Sequence, residues 1–401
     1  MQIGMLIWTY WPQHEGGAER QCRLLVESLT ASGHVATVLA GGGAAHSADR
    51  VMRIGALCPL ENQQRRMFQK YSSSFSGRMQ HFAQHASFWG LVPFSWISRL
   101  SFILSIAAFV RNQPQAPFDV IHVHDSGWLA GLGVWLGRKW GIPVLCKEAT
   151  SPALQPVSYG TPFRRYWERQ RKLADGWVAQ TENVRTQLVA AGIPADRVYL
   201  VPNGVCIPGA VRPASDHDGV LYVGNLTQGS EWKAFDVLFD AWTEVVQKRP
   251  AARLIFVGGG DPAPWQQVLS KAGVLDSVAF AGRLDDPSPC YENAGIFVLP
   301  SRVEGMSNAL LEAQSWGLGC VVSDIPGNTA VVRHESNGLV VPVNDASALT
   351  DAVIRLLDDK ALRQHLGDAA RNHMILDYSI RSVTERVVAV YQTLVTAEAA
   401  L

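Results

Sequence analysis

The sequence predicts an α/β protein made of two doubly wound parallel-sheet domains. Short apolar runs rich in β-branched residues alternate with longer helical stretches along the whole chain. Most of these runs are continuously apolar, as a parallel sheet that is covered on both faces requires. About a dozen candidate strands exceed the roughly 4–6 strands of one typical sheet, so two sheets are expected.

The candidate elements follow one another as strand and helix in turn. In the first half the candidate strands are Ile3–Trp8, Val35–Leu39, Val120–His124, Pro143–Lys147, Trp177–Ala179 and Val198–Val201. In the second half they are Val220–Val223, Leu254–Val257, Val278–Phe280, Ile296–Leu299, Cys320–Ser323 and Leu339–Val341. Candidate helices include Glu19–Ser32, Gly127–Trp140, Ala234–Gln247 and Ala309–Trp316. Such alternation with right-handed crossovers gives doubly wound sheets.

The boundary between the domains is predicted from a segment that suits neither helix nor strand. Residues 202–213 read PNGVCIPGAVRP, which combines three prolines with three other turn-forming residues. We therefore predict an N-terminal Rossmann-like domain over 1–205 and a C-terminal one over 206–377. A helix over 378–401 is expected to pack back toward the first domain. Ligands of such sheets bind outside the carboxyl ends of the strands, so the cleft between facing domains is the expected site.

Composition excludes several classes of protein. At 47% hydrophobic residues the chain is not disordered. The six cysteines are scattered without the spacing of a zinc, redox or disulfide framework. The N-terminus lacks the pattern of a signal peptide, and the apolar stretch 87–110 is interrupted by proline, arginine and serines. We therefore expect a cytoplasmic chain without a transmembrane helix.

The strongest local motif follows the candidate strand that ends at Leu299. It reads PSRVEGMSNALLEA over 300–313, and Ser307 or Asn308 is a good N-cap for the helix that follows. The first turn of a helix offers N–H groups and the positive end of the dipole. This part of the motif therefore suits a phosphate group.

Two glutamates of the same motif lie eight positions apart. Glu304 precedes Gly305 in the loop, and Glu312 lies about one turn into the helix. Ionised carboxylates only accept hydrogen bonds, so they suit sugar hydroxyls rather than the phosphate itself. The alternative is a capped helix whose glutamate only stabilises the dipole.

A second motif begins the C-terminal domain. Gly224-Asn225 turns the chain after a candidate strand, and Lys233 falls at a helix start. A lysine is unfavourable at the positive end of a helix dipole, but a bound anion would justify it. The alternative is a solvated surface lysine.

Two motifs of the N-terminal domain also follow strands. Gly16-Gly17 would let the backbone approach a ligand closely, although the dinucleotide fingerprint G-x-G-x-x-G is absent. His122 and His124 share one side of a strand, and His124 lies nearer the carboxyl end, where ligands bind. They lack an obvious third ligand for a metal. The alternative for His124 is a core histidine whose hydrogen bonds are satisfied.

Together these motifs resemble the retaining glycosyltransferases of family 4, which have the GT-B fold of two facing Rossmann-like domains. The resemblance covers essentially the whole chain, is specific over 220–345 and is looser over 45–115. The motifs occur in the order of that family: Gly16-Gly17, His124, Asn203-Gly204-Val205, Lys233, and Glu304 through Glu312.

The resemblance implies a nucleotide-sugar donor that is bound mainly by the second domain. It implies that Glu304 contacts the donor sugar, Glu312 contacts the ribose hydroxyls and Lys233 holds the diphosphate. It also implies that His124 lies against the donor sugar near the reacting carbon and that Gly16-Gly17 closes over the phosphates. The N–H groups near Ser307 and Asn308 would stabilise the departing phosphate.

One departure from the family concerns the second phosphate-binding cation. The family usually has an arginine where this chain has Asn225, and Arg302 is a candidate substitute. Ala234 also replaces the common glycine after the lysine. The implied reaction retains the anomeric configuration, with the leaving phosphate as the base. We expect no cofactor and no metal, because no Asp-x-Asp pair lies in a plausible loop.

The charge distribution points to the acceptor side. The chain has 35 basic and 35 acidic residues, but residues 1–180 carry 18 basic against 10 acidic side chains. The segment 51–112 alone has seven basic residues and one acidic residue, with aromatic residues over 88–96. Such a segment suits an anionic membrane surface and a lipid-linked saccharide acceptor. The alternative is a solvated basic helix followed by a buried one, and nucleic acid is not expected because no recognised module is present.

Two other functions remain possible from the sequence. One is a nucleotide-sugar epimerase with the same two-domain fold, against which the motif SNALLEA argues. The other is a non-catalytic partner protein with a decayed donor site. Asn225 favours that second alternative slightly, whereas Lys233, Glu304 and Glu312 argue against it.

Overall fold

The computed structural model describes residues 1–10, 16–41, 51–54, 99–148, 164–226 and 231–399. Its contacts divide the chain into two compact units. The first unit comprises Met1–Gln180, Val184–Val201 and Thr384–Leu401, and the second comprises Thr181–Asn183 and Pro202–Val383.

These limits differ by a few residues from the sequence-based ones at 205 and 377. The reason lies in the backbone of the segment that leaves the first unit. The Val205 N–H donates to the Tyr378 carbonyl, and the Ile380 N–H donates to the Val205 carbonyl, both at 2.9 Å. These bonds tie 202–205 to the second unit.

The first unit contains a seven-stranded parallel sheet. Its strands are β1 Gln2–Ile7, β2 Val35–Gly41, β3 Val51–Ile54, β4 Val120–Val123, β5 Val144–Lys147, β6 Gly176–Ala179 and β7 Val198–Leu200, in the order β3-β2-β1-β4-β5-β6-β7. The helices are α1 Gly17–Ala31, α2 at 99–112, α3 Trp128–Trp140, α4 Arg164–Arg171, α5 Glu182–Ala190 and, from the C-terminus, α13 Ile380–Ala399.

The second unit contains a six-stranded parallel sheet. Its strands are β8 Gly219–Val223, β9 Arg253–Val257, β10 Val278–Gly282, β11 Ile296–Leu299, β12 Gly319–Ser323 and β13 Leu339–Val341, in the order β10-β9-β8-β11-β12-β13. Its helices are α6 Phe235–Lys248, α7 Ala263–Lys271, α8 Ser288–Glu292, α9 Asn308–Ser315, α10 Pro326–Thr329, α11 Ala346–Asp358 and α12 Lys360–His373. The π-helix Met374–Tyr378 follows α12.

Each sheet has one topological switch point, where the strand order reverses. In the first unit it lies between β1 and β4, and in the second it lies between β8 and β11. Ligands of open parallel sheets bind outside the carboxyl ends of the strands at this point. The loops after these four strands are therefore the positions to inspect.

The central strands are buried because helices cover both faces of each sheet. All four residues of β4, β5, β6 and β11 are buried. The sequences of β6 and β11 are free of charged and polar side chains, as burial on both faces predicts, whereas β4 contains His122 and β5 ends at Lys147. Helix α3 packs very closely on the first sheet. A Cβ atom at Gly133 or Gly137 would collide with the side chains of Val123 or Val144. Glycine therefore stands inside this helix despite its cost of about 1 kcal/mol relative to alanine.

The structure confirms the twelve predicted strands and adds one. The added strand is β3, a four-residue strand at the edge of the sheet that pairs with β2. A short edge strand lacks the continuous apolar run of a central strand, so its pattern is weak. No helix among the described residues has the length and apolarity needed to cross a membrane.

Candidate functional site

Two residues that the sequence analysis singled out meet at the switch point of the second sheet. Lys233 ends a single turn, Glu231–Lys233, after β8, and Glu304 lies in the loop after β11. The Lys233 Nζ and Glu304 Oε1 atoms are 2.6 Å apart. Their side chains are 22% and 13% exposed, so the ion pair is largely shielded from water. An acid and a base 71 positions apart in the chain thus form one polar centre.

Contacts from Ser301 and from helix α10 hold the loop that contains Glu304. The Ser301 hydroxyl donates to Glu304 Oε1 at 2.9 Å, the same oxygen that faces Lys233. Helix α10 contacts the backbone of this loop, because a Cβ atom at Gly327 would collide with the Glu304 carbonyl oxygen. The Asn328 side chain is fully buried and donates to the Ser323 carbonyl at 3.1 Å. The position of the carboxylate is therefore determined by several packed elements.

The N-terminus of α9 adjoins this loop. Ser307 is its N-cap, and the Ser307 Oγ accepts a bond from the Leu310 N–H at 3.4 Å. The Asn203 amide donates to the Asn308 Oδ1 at 3.0 Å, so the segment that enters the second unit is fixed to the first residue of the helix. Glu312 lies one turn along and is 9% exposed. The structure thus places Ser307 and Asn308 where the sequence predicted a capped, phosphate-suited helix start.

Asn225 follows β8 and bonds to the next loop of the sheet. Its Oδ1 accepts from the Gly259 N–H at 2.9 Å. Gly258 has a φ of 157°, and a Cβ atom there would collide with the Gly224 carbonyl oxygen. The glycines after β9 therefore allow two loops to touch, and Asn225 fastens them. Its predicted role as a donor contact stays a prediction.

Arg302 was predicted as a substitute for the missing phosphate-binding arginine. In the structure its guanidinium donates to both carboxylate oxygens of Asp236, at 3.0 and 2.6 Å. It also donates to Asn344 Oδ1 at 2.6 Å and to the Glu231 carbonyl at 2.5 Å. Hydrogen bonds from Arg302 lower the pKa of the Asp236 carboxyl. This geometry favours Arg302 as the residue that positions the turn bearing Lys233.

Tyr222 is a polar residue of this site that the sequence analysis missed. It lies in β8, is fully buried, and stacks on Phe256 at a ring distance of 4.6 Å. Burial, and then the negative charge of Glu304, raise the pKa of the Tyr222 hydroxyl well above its usual value. The hydroxyl oxygen has no hydrogen-bond partner among the described residues. No sequence pattern distinguishes it, because tyrosine is an ordinary strand residue.

In the first unit, the loop after β1 leads into α1. The Glu19 carboxylate accepts the Gly16 N–H at 3.0 Å and the Thr9 hydroxyl at 2.6 Å. Gly17 is the first residue of the helix. A carboxylate that caps its own helix start holds the backbone of this glycine pair in place.

The histidine pair lies at the end of β4. The rings of His122 and His124 are 4.4 Å apart, and His122 Nδ1 shares a hydrogen bond of 2.6 Å with the Tyr391 hydroxyl. Burial lowers the pKa of His122 to about 3 and the pKa of His124 well below its usual value. Both imidazoles are therefore neutral at physiological pH. The Nε2 atoms of both rings have no partner in the described part of the chain.

Two expectations are not decided by these residues. No group of three His, Cys, Asp or Glu among the described residues is arranged to hold a metal ion, and metal independence stays a prediction. The segment 51–112 is described only at 51–54 and 99–112. The basic and aromatic residues predicted to face a membrane over 55–98 lie outside the described residues.

Comparison with known families identifies the chain. The family described as Glycosyltransferase Family 4 matches residues 15–207, and the family described as Glycosyl transferases group 1 matches residues 217–359. A UDP-Gal:alpha-D-GlcNAc-diphosphoundecaprenol alpha-1,3-galactosyltransferase of Escherichia coli is 38% identical and covers 74% of this chain and 80% of its own. A phosphatidyl-myo-inositol mannosyltransferase of Mycobacterium tuberculosis is 30% identical and covers 69% of this chain and 74% of its own.

Solved structures share the fold over the full length. HepE of Anabaena in complex with UDP has a TM-score of 0.73 at 15% identity, covering 98% of this chain and all of its own. Sucrose-phosphate synthase of Thermosynechococcus elongatus also has a TM-score of 0.73, at 20% identity, covering 99% of this chain and all of its own. With its two Rossmann-like units and its matched motifs, this chain belongs to the group 1 glycosyltransferases of family 4 and is a glycosyltransferase of the GT-B type.

Proposed function

We propose that this protein is a retaining glycosyltransferase that needs no divalent metal. It moves a sugar from a nucleotide-sugar donor to a lipid-linked saccharide acceptor in the synthesis of a surface polysaccharide or glycolipid. The Lys233–Glu304 ion pair of 2.6 Å at the switch point of the second sheet is the observation that supports a donor site there. It adjoins the N-terminus of α9, a second positive group.

The donor diphosphate would bind between the Lys233 ammonium and the first turn of α9. An ammonium ion makes charge-assisted hydrogen bonds to phosphate, and N–H groups at a helix start point outward at the ligand. As the bond to the anomeric carbon breaks, negative charge grows on the departing phosphate. Preorganised positive groups that stabilise such charge are usually the largest catalytic contribution. That a relative of this fold is recorded in complex with UDP supports this assignment.

Glu304 would serve the sugar rather than the phosphate. Ser301 holds the Glu304 carboxylate oxygen that also faces Lys233. When the donor takes Lys233 as its phosphate partner, this carboxylate is left to accept a hydroxyl of the sugar. It also lies beside a ring that becomes positively charged in the transition state, which a carboxylate stabilises. Glu312, one turn into α9, would take the ribose hydroxyls.

The class of the acceptor is proposed from the names of two relatives. The names of the Escherichia coli and Mycobacterium tuberculosis relatives state a diphosphoundecaprenol and a phosphatidyl-inositol acceptor, both attached to lipids. The basic segment 51–112 of this chain suits such acceptors, because it would be attracted to an anionic bilayer. Failure to bind anionic vesicles at low salt, or unchanged binding after neutralising Arg65, Arg66 and Lys70, would contradict the membrane contact.

The experiment is a panel of UDP-, GDP- and ADP-sugars with membrane extract as the acceptor, scored by release of nucleoside diphosphate. We expect one donor class to be consumed only when acceptor is present, with an equal rate in EDTA. Conversion of the donor to an altered nucleotide sugar, without acceptor and without release of nucleoside diphosphate, would favour a nucleotide-sugar epimerase. No release and no altered nucleotide sugar with any donor would favour a non-catalytic partner protein. Loss of activity in EDTA that Mg²⁺ restores would contradict metal independence.

A further inference from the structure

A cluster of buried polar groups lies on one face of the first sheet, outside the donor site described above. We call Cys22, His122, His124, Lys147 and Tyr391 the inner cluster. Strand register pairs His122 with Leu145 and Val123 with Cys146, so the next positions, His124 and Lys147, lie side by side. Adjacent residues of parallel strands project to the same face. The inner cluster therefore brings a lysine beside the histidine pair at the carboxyl edge of β4 and β5.

Lys147 is a buried cation. It is 7% exposed, and no hydrogen bond or ion pair of its ammonium group occurs among the described residues. Burial lowers the pKa of Lys147 to about 8, so the group is still mostly protonated at neutral pH. A buried charge without a partner is strongly unfavourable.

Among the described residues, the neighbours of Lys147 named here do not supply a counter-charge. Burial raises the pKa of the Cys22 thiol, and the histidines have lowered pKa values, so all three are neutral. Glu19 is an acid of α1 whose charge acts on Cys22, and its carboxylate accepts bonds from Thr9 and Gly16. The Tyr391 hydroxyl is occupied by His122.

Two buried atoms of the inner cluster, the Nε2 atoms of His122 and His124, thus lack hydrogen-bond partners in the described chain. The Lys147 ammonium beside them makes no hydrogen bond or ion pair to a described residue. Buried polar groups in folded proteins are nearly always paired, so unpaired ones at a ligand-binding edge indicate a ligand. The ligand must be anionic, because the charge to be balanced is positive. It must also accept hydrogen bonds, because an ammonium group has only donors.

We propose that Lys147 binds a phosphate group of the acceptor substrate, the ester or diphosphate that joins the acceptor sugar to its lipid. This assignment rests on the proposed function and adds the group that recognises the acceptor. An ammonium group beside a neutral imidazole suits a phosphate oxygen, which accepts several charge-assisted bonds. The diphosphate in the name of the Escherichia coli relative's acceptor has this chemistry.

The first test uses Lys147→Met, which keeps the length of the side chain and removes the charge. The control is Lys139→Met in α3, whose ammonium lies 6.0 Å from the Trp135 ring. Both changes are made in a Lys233→Met background, so that inorganic pyrophosphate cannot use the donor site. We expect Lys147→Met to weaken pyrophosphate binding by about tenfold or more, and Lys139→Met to leave it unchanged. Equal binding by all three proteins would overturn the assignment.

Thermal unfolding separates a ligand site from a structural role. Replacing an unpaired buried cation by an apolar side chain of similar volume should leave the melting temperature equal or higher. A lower melting temperature in Lys147→Met, together with unchanged pyrophosphate binding, would show that the lysine serves the fold. UDP affinity measured with Lys233 intact is the third readout. A tenfold loss of UDP affinity in Lys147→Met would assign the lysine to the donor instead.

The second test compares two acceptors that carry the same sugar, one on a lipid diphosphate and one on a neutral alkyl group. The measured quantity is kcat/KM for the diphosphate acceptor divided by kcat/KM for the neutral acceptor. We expect Lys147→Met to lower this ratio by about tenfold, because the KM for the diphosphate acceptor rises. The ratio should not change in Lys139→Met. An equal loss for both acceptors would contradict phosphate recognition. If the wild type transfers no sugar at all, the proposed function fails, while the pyrophosphate titration still decides whether Lys147 binds phosphate.

Discussion

Replacing one partner of the Lys233–Glu304 pair should separate donor binding from catalysis. Lys233→Met removes the ammonium group, and Glu304→Gln removes the negative charge but keeps an oxygen that Ser301 can reach. The Nζ–Oε1 distance of 2.6 Å and exposures of 22% and 13% place the pair between a surface and a buried ion pair. We expect each change to lower the free energy of unfolding by only about 1–2 kcal/mol, so both variants stay folded.

The two variants should differ in their affinity for UDP. A hydrogen bond to a charged group contributes about 1.5–3 kcal/mol, which is roughly 10- to 150-fold in affinity or rate. We expect Lys233→Met to weaken UDP binding by that factor. We expect Glu304→Gln to bind UDP at least as well as the wild type, because its lysine is released from the ion pair, and to lose roughly 100-fold in kcat.

Isothermal titration with UDP and steady-state rates with the active donor measure these effects. Lys248→Met is the matched control, because Lys248 is half-exposed, lies at the end of α6 and pairs with Asp351 at 3.5 Å. It should match the wild type in both assays. Equal weakening of UDP binding by Lys233→Met and Glu304→Gln would refute the separate roles. Wild-type rates in either variant would refute the site itself.

Three further changes test the architecture and the pH response. Gly327→Ala should lower the free energy of unfolding by about 1–3 kcal/mol and remove most of the activity, because the new methyl group meets the Glu304 carbonyl. The control Gly209→Ala should have no effect on activity, since no atom lies within 4 Å of its Cβ position. In a denaturant titration, Ser307→Ala should lower the free energy of unfolding by about 0.5–1 kcal/mol, because the N-cap hydrogen bond that is lost is long. A change above ~2 kcal/mol would contradict the role of Ser307 as a simple N-cap. Because burial lowers the pKa values of His122 and His124 below their ordinary 6.5, the unfolded state binds more protons in acid. Stability should therefore fall below about pH 6.5, by about 1.4 kcal/mol per histidine per pH unit; a flat profile between pH 7.5 and 5 would contradict neutral buried histidines.

The sequence predicted the strands well because a parallel sheet buried on both faces leaves a continuous apolar run. It also predicted Lys233 and Glu304, since each follows a strand and one precedes a recognisable helix start. Their contact could not be predicted from the residues alone, because it depends on β8 and β11 being neighbours in the sheet. The same holds for His124, whose neighbour Lys147 lies on a different strand.

The surroundings of Arg302, Tyr222 and Lys147 could not be predicted, because they depend on contacts between residues that are distant in the sequence. Arg302 carries the charge that a phosphate site needs, and in the folded chain its guanidinium donates to Asp236 and Asn344. Its role as a substitute phosphate-binding cation stays a prediction. Tyr222 and Lys147 occupy ordinary strand positions, and only burial without a partner distinguishes them. Sequence patterns show which side chains face inward. They do not show whether a buried polar group finds a partner.

We propose above all that this enzyme transfers a sugar from a nucleotide-sugar donor with retention. The most direct measurement is the NMR spectrum of the product formed from an α-linked nucleotide sugar and a lipid-diphosphate saccharide. We expect a new glycosidic bond of α configuration, formed with one nucleoside diphosphate for each sugar transferred. A β-linked product would contradict retention, and an altered nucleotide sugar with no product would contradict glycosyl transfer.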